Sequence, residues 1–238
     1  MLSTRFALPV WMRSMRFPSV CPICGAWPSA VFCEACVAQF AQPIARCPTC
    51  ALPLESGTCF PCYYEPPPVQ ACLTAVTYGY PWSTCIASFK FQGDVGLSRP
   101  IAHLMRHAPW ITPALEAADR VIAMPVTPAR LRERGFNQAH ALAKHLAPHQ
   151  ADALTLRRCD HASHQVGLDR TARLAQVRNT FWIEPSRIAA LRGQRIVLLD
   201  DVMTTGATLH EAARTLRHAG VAHITAMVFA RTHMGLAR

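Results

Sequence analysis

The chain has 238 residues, 51% of them hydrophobic and 16% charged, with a mean hydropathy of +0.13; this is enough apolar material for a packed core and excludes wholesale disorder. Nineteen prolines and eleven glycines follow no collagen-like period, and no stretch supplies the roughly 20 consecutive apolar residues of a membrane-spanning helix. The net charge of +10 belongs to the second half, since residues 1–119 carry +1 and residues 120–238 carry +9.

Of the twenty-four cations only Lys90 and Lys144 are lysines. Arginine's planar fork matches phosphate oxygens, which points to phosphorylated ligands or nucleic acid, although genomic base composition alone also yields an arginine excess. Residues 1–20 hold three arginines and a short apolar patch, Phe6 to Met12, without the apolar core and small-residue cleavage site of a secretory leader. The expectation is a cytoplasmic protein without membrane insertion.

The first chemical pattern is an array of cysteines. Eight of the eleven form four C-x-x-C pairs, Cys21/Cys24, Cys33/Cys36, Cys47/Cys50 and Cys59/Cys62, and the second four repeat the first at an offset of 26 residues. This is a duplicated module. The two-residue gap lets both thiolates of a knuckle face one ion, and four thiolates complete a tetrahedral Zn²⁺ site with no coordination place left for catalysis. A disulfide framework would need an oxidising compartment, and redox chemistry would need one such motif on a βα unit, not four in a repeat. Two structural zincs are expected in a module over residues 20–65, with metal binding supplying much of its folding free energy. Sequential pairing follows the duplication; a cross-braced pairing, which alternates the knuckles, is the alternative. Cys72, Cys85 and Cys159 have no partners at ligand spacing and receive no role.

Pro66-Pro67-Pro68 reads as a stiff linker, followed by a domain over residues 70–238. Ala71 to Tyr78 reads as a strand, and Leu97, Ile101, Leu104 and Met105 recur at helical spacing. Arg120 to Met124 is a short apolar strand, followed by a turn at Pro125/Pro128 and by Ala139, Leu142, Ala143 and Leu146 on one helical face. Residues 157–180 are polar and arginine-rich and read as a lid before the next strand. Ile196 to Leu199 is a strand, Leu209, Ala212, Ala213 and Leu216 mark a helix stopped by Gly220, and Ile224 to Ala230 is a strand. Strands alternating with helices predict an α/β fold with a parallel, doubly wound sheet.

The segment Ile196 to Thr208, IVLLDDVMTTGAT, carries the most chemistry. Ligands of open α/β sheets bind beyond the carboxyl ends of the strands, where Asp200 and Asp201 are expected. Thr204, Thr205, Gly206, Ala207 and Thr208 then form a tight loop whose backbone N–H groups converge at a helix N-terminus, which favours a phosphate. Twin carboxylates suit sugar hydroxyls, so pair and loop together fit a ribose 5-phosphate. A helix cap explains one polar residue there, not two acids followed by T-T-G-x-T. No Walker-type or G-x-G-x-x-G motif is present.

IVLLDDVMTTGAT resembles the phosphoribosyl-pyrophosphate (PRPP) motif of type I phosphoribosyltransferases. With four cysteine knuckles ahead of it and PVTPARLRERGFNQ at Pro125 to Gln138, the chain from residue 20 to 232 is similar to the ComF competence family. The resemblance implies a double zinc ribbon on a phosphoribosyltransferase domain, and a role in natural transformation, DNA uptake or DNA utilisation. It implies that Asp200 and Asp201 hold the ribose hydroxyls as the catalytic pair and Thr204 to Thr208 the 5-phosphate. It further implies that Pro125, Val126 and Thr127 bind the pyrophosphate, with Arg130, Arg132, Arg134 and Asn137 available to neutralise it, and that Arg158 to Arg178 is the closing loop. The implied reaction displaces pyrophosphate from PRPP, with Mg²⁺, by a nitrogen acceptor that no residue identifies. The alternative is a PRPP- or nucleotide-sensing adaptor that binds single-stranded DNA or DNA-uptake proteins, with Phe136 and Trp182 as stacking groups or, more readily, core residues.

Overall fold

The computed structural model describes residues 19–54, 57–159 and 180–233, in two compact units, Met1–Phe40 and Ala41–Arg238. In the first unit a turn over residues 21–26 leads, past an antiparallel bridge between Ser19 and Ser29, to α1 (Glu34–Phe40). Cys21, Phe32 and Cys36 are its buried apolar residues.

The second unit begins with the same turn. Cys21 N–H donates to Ala26 O and Gly25 N–H to Cys21 O; 26 residues later Cys47 N–H donates to Leu52 O and Ala51 N–H to Cys47 O. The residue at the bend is left-handed in both copies, Gly25 at φ 74° and Ala51 at φ 57°. The duplication seen in the cysteines therefore extends to the backbone. Helix α2 (Phe60–Tyr64) follows, with Cys47, Cys50 and Leu52 packed against Leu54, Cys59 and Cys62.

The remainder is built on a five-stranded sheet. In chain order its elements are β1 (Ala71–Thr77), α3 (Trp82–Phe91), α4 (Ser98–His107), α5 (Ile111–Glu116), β2 (Arg120–Ala123), α6 (Pro128–Arg134), α7 (Gln138–Leu146), β3 (Ala151–Asp152), β4 (Leu156–Arg158), β5 (Phe181–Ile183), β6 (Arg195–Met203), α8 (Ala207–His218) and β7 (His223–Arg231). The sheet order is β1-β7-β6-β2-β3, and every pairing is parallel. The central strands are apolar almost throughout, as strands covered on both faces must be: Ile224 and every residue from Ala226 to Ala230 are fully buried. Helices α4 and α7 pack on each other, and α7 on β2 and β6. Leu142, Ala143 and Leu146 are the buried stripe of α7.

The expected strands and helices are present, with two differences that matter for the site. The strand expected over Ile196 to Leu199 runs on to Met203, because β7 stays apolar to Ala230 and offers ladder partners, Asp200 opposite Val228 and Val202 opposite Ala230. Helix α3 was not among the expected elements; its buried Trp82, Cys85, Ile86 and Phe89 keep the spacing of one helical face, but apolar Ala87 and the exposed Phe91 on the other side blur the contrast that marks an amphipathic helix. Of the polar segment at 157–180, residues 160–179 lie outside the described residues. Its flanks β4 and β5 form an antiparallel ribbon, Arg158 opposite Phe181.

Candidate functional site

At the carboxyl ends of β2 and β6 lies a cleft of about 180 Å³. One wall is the β6–α8 connection. Gly206 takes a left-handed conformation, φ 84°, that precedes the first turn of α8 and strains any other residue, and a Cβ there would also crowd the ends of the Met203 and His210 side chains. The Ala207 amide bonds the Thr205 hydroxyl at 3.3 Å. The first-turn amides of a helix lack intrahelical acceptors, and Thr204 to Thr208, which lead into α8 and open it, all line the cleft.

Asp200 and Asp201 line the same cleft. Successive strand residues point to opposite faces. Asp201 is buried and pairs with Lys90 Nζ at 2.9 Å, while Asp200, half-buried, accepts from the Asp201 amide at 2.9 Å. Burial and the adjacent Asp201 carboxylate push Asp200 up to about 7, against the pull of that amide, Lys90 and Arg158.

The opposite wall follows β2. Pro125 and Val126 line the cleft with Arg130, Arg134, Asn137 and Gln138. Thr127 and Arg132 are not among the lining residues. Thr127 is the N-cap of α6, its hydroxyl accepting from Arg130 N–H at 3.2 Å, and Arg132 is exposed on the same helix. Asn137 spends its amide on the fold: Oδ1 caps α7 through His140 N–H at 3.1 Å and Nδ2 donates to Met124 O at 3.0 Å. Arg134 lies over the Phe91 ring at 5.2 Å and donates to Gln138 Oε1 at 3.4 Å. Phe136 packs on Phe89, and Trp182 is exposed on β5.

Two cleft residues come from elsewhere. Arg158, at the end of β4, and Lys90, in the last turn of α3, both line it. Lys90 carries no local motif, and only the fold brings it to Asp201, 111 positions away. Lys90, Arg130, Arg134 and Arg158 stand against Asp200 and Asp201, so the cleft is electropositive even before its amides are considered.

The cysteines fall into two sets in sequence order, Cys21, Cys24, Cys33, Cys36 and Cys47, Cys50, Cys59, Cys62, with the ligand atoms of each within 4.8 Å of one another. Cys24 and Cys33 sulfurs are 3.6 Å apart, Cys50 and Cys59 3.6 Å, and Cys47 and Cys62 3.8 Å. Tetrahedral bonds of about 2.3 Å require sulfur separations of about 3.8 Å, whereas a disulfide is bonded at about 2.05 Å. The sets therefore fit Zn²⁺. Within each set ionisation is divided: burial raises and nearby N–H groups lower Cys21, leaving it at about 6, while Cys36 is pushed up by burial and by its neighbours. Cys47 similarly falls to about 7 while Cys62 rises. Four clustered thiols cannot all ionise without a cation.

Parallel sheet, cleft and cysteine sets together define an α/β protein of phosphoribosyltransferase type with a cysteine-rich N-terminal module. Residues 132–237 match the family model described as "Phosphoribosyl transferase domain". The chain is 29% identical over 227 residues to the DNA utilization protein YhgH of Salmonella typhimurium, covering 90% of this chain and 98% of that one. It is likewise 29% identical to Competence protein F of Haemophilus influenzae over 209 residues, covering 84% and 90%. Among solved structures, glutamine PRPP amidotransferase from B. subtilis is similar over 50% of this chain and 25% of that one, at 18% identity and a TM-score of 0.32. The chain is thus similar over most of its length to proteins named for DNA utilization and competence. Among the described residues no helix is long and apolar enough to cross a membrane.

Proposed function

We propose that the cleft binds PRPP, with the ribose 5-phosphate on the amides of Thr204 to Thr208, the ribose hydroxyls on Asp200 and Asp201, and the pyrophosphate along Pro125, Val126 and the cations Lys90, Arg130, Arg134 and Arg158. The supporting observation is that one cleft gathers an amide-rich loop, two strand-end acids and four cations from separate parts of the chain. A donor with anions at both ends of a sugar needs this order of charges: positive, negative, positive. Thr127, whose hydroxyl caps α6, and Arg132, exposed on that helix, adjoin this run and complete the proposed pyrophosphate contact.

The reaction is displacement of pyrophosphate from C1 of PRPP by a nitrogen nucleophile, the protein's part being to hold the two charged ends and to place acids beside a ribose that becomes cationic. Mg²⁺ arriving with the donor would offset the pyrophosphate charge, and Asp200 and Asp201 are the hard oxygen ligands this chain offers it. The names of the relatives support a role in DNA uptake or utilisation. Titration calorimetry with PRPP and Mg²⁺ checks the binding claim: Asp200→Ala with Asp201→Ala is expected to weaken affinity about a hundredfold, two charged hydrogen-bond acceptors having gone, while circular dichroism stays unchanged. Equal affinity would refute the assignment. Pyrophosphate release on adding candidate amines identifies an enzyme; PRPP-dependent affinity for single-stranded DNA without release identifies the adaptor instead.

A further inference from the structure

Arg231 joins two sites that the sequence places far apart. It closes β7, in register with Met203 at the end of β6 and Thr77 at the end of β1, and it is 3% exposed. Its Nε donates to the carbonyl of Cys50 at 2.9 Å. Its Nη1 donates to the carbonyls of Met203 at 3.1 Å and Thr204. One guanidinium thus bonds the backbone of the second cysteine set and the first residue of the phosphate loop. Other contacts follow the same route: Cys72 N–H donates to Pro48 O at 2.8 Å, and the Cys72 thiol meets Met203 Sδ at 3.5 Å.

The charges here do not balance within the polypeptide. Arg46 lies in the same region, its Nη1 on Ala51 O at 3.1 Å and its Nη2 on Thr77 Oγ1 at 2.7 Å. Among the described residues neither Arg46 nor Arg231 forms an ion pair with a carboxylate. A buried cation without a counter-charge is costly. The acidic groups that act on Arg231 are thiols, Cys72 and then Cys50, Cys62 and Cys59 of the second set, and a divalent metal held by four thiolates is a dianion. The metal would thereby fix both the Cys47–Cys50 turn and the guanidinium that spans it and the loop.

We propose that Arg231 couples metal occupancy of the Cys47, Cys50, Cys59, Cys62 set to the conformation of the Thr204 to Thr208 loop. With the metal bound, the Cys50 carbonyl and the thiolate charge hold the guanidinium, and the guanidinium holds the Met203 and Thr204 carbonyls so that the following amides face the cleft. Without it the turn relaxes and the loop loses its anchor. Arg231 is a positioning residue: it touches the loop's carbonyls and leaves the donor to the amides. The proposal rests on the reading of that loop as the phosphate cradle.

The experiment is hydrogen–deuterium exchange of residues 203–208 in the full zinc-loaded chain, with metal content and PRPP affinity measured on the same samples. Cys59→Ser with Cys62→Ser empties the second set without removing a hydrogen-bond partner of Arg231, and is expected to speed exchange at the loop and weaken PRPP binding about tenfold each, the loss of one charge-assisted hydrogen bond. Arg231→Met is expected to do the same with both metals retained, and Arg231→Lys to recover part of the loss. In the combined variant the effects should not add, because the link is already cut. Unchanged loop exchange in the emptied variant, or full additivity in the combined one, overturns the coupling. Should the cysteine variant not fold, unchanged exchange in Arg231→Met overturns it equally. If the wild-type chain does not bind PRPP, the reading of the loop fails, while exchange still decides the coupling.

Discussion

Asp200 stands where two demands conflict: the ribose contact proposed for it asks for an ionised acid, yet burial and Asp201 hold this one up to about 7 in place of 3.8. A carboxyl that protonates more readily in the folded state contributes stability that is complete below pH 3.8 and is lost as pH rises through about 7. Asp200→Asn keeps the acceptor for the Asp201 amide and removes the titration. Its melting temperature is expected to exceed that of the wild type above pH 7 and to converge with it towards pH 3.8; equal melting curves at pH 8 would contradict the assignment. Gly206 presents the opposite case, a residue defined by what it lacks. Alanine there must hold φ near 84° and crowd His210, so Gly206→Ala should cost about 1–2 kcal/mol in urea unfolding and weaken PRPP binding with it. The acids and the glycine were legible because they lie in one contiguous motif. Lys90 was not, since its meaning comes from Asp201 across the fold. Arg132 and Thr127 looked alike to Arg134 and Val126 in the sequence; the turn of α6 separates them, placing one on the solvent side and using the other as a cap.

At the scale of elements, the edges of the sheet depend on a few polar anchors. Asp152, in β3 and 7% exposed, accepts from Arg120 at 2.7 Å, the Leu154 amide at 2.7 Å, and the Thr155 amide and hydroxyl at 2.9 and 2.5 Å. Burial raises this acid, and the Thr155 hydroxyl, Arg120 and the amides more than offset it, holding it at about 2. Its contribution is therefore present above pH 3.8 and lost as pH falls through about 2. Asp152→Ala, which removes the carboxylate partner of Arg120 and Arg187, should cost about 3 kcal/mol at neutral pH, and a loss under 1 kcal/mol would show that β3 is held otherwise. The cysteine sets permit a sharper test. Metal content of the wild type is expected at two zinc per chain, and Cys21→Ser with Cys36→Ser should leave one, because both belong to one set. A cross-braced arrangement would lose both.

For the whole molecule, the alternation of strands and helices was readable because central parallel strands are apolar runs and α4, α7 and α8 keep one buried stripe each. Helix α3, whose buried stripe is blurred by Ala87 and Phe91 on its other face, and the two-residue edge strand β3 left no such mark. The cysteine array was readable as chemistry, since thiolate spacing alone implies a metal. Its attachment was not: the compact units divide between Phe40 and Ala41, so the second cysteine set lies in the unit that carries the sheet, joined to it by Arg46, Cys72 and Arg231. Those ties are single hydrogen bonds between distant segments, which no local pattern encodes.

The function proposed for the cleft turns on what the β6–α8 loop grips. A crystal of the zinc-loaded chain soaked with PRPP and Mg²⁺ should show the 5-phosphate within hydrogen-bonding distance of the amides of Thr204 to Thr208 and the ribose hydroxyls on Asp200 and Asp201. A donor bound elsewhere, or a loop still holding solvent at saturating PRPP, would contradict it.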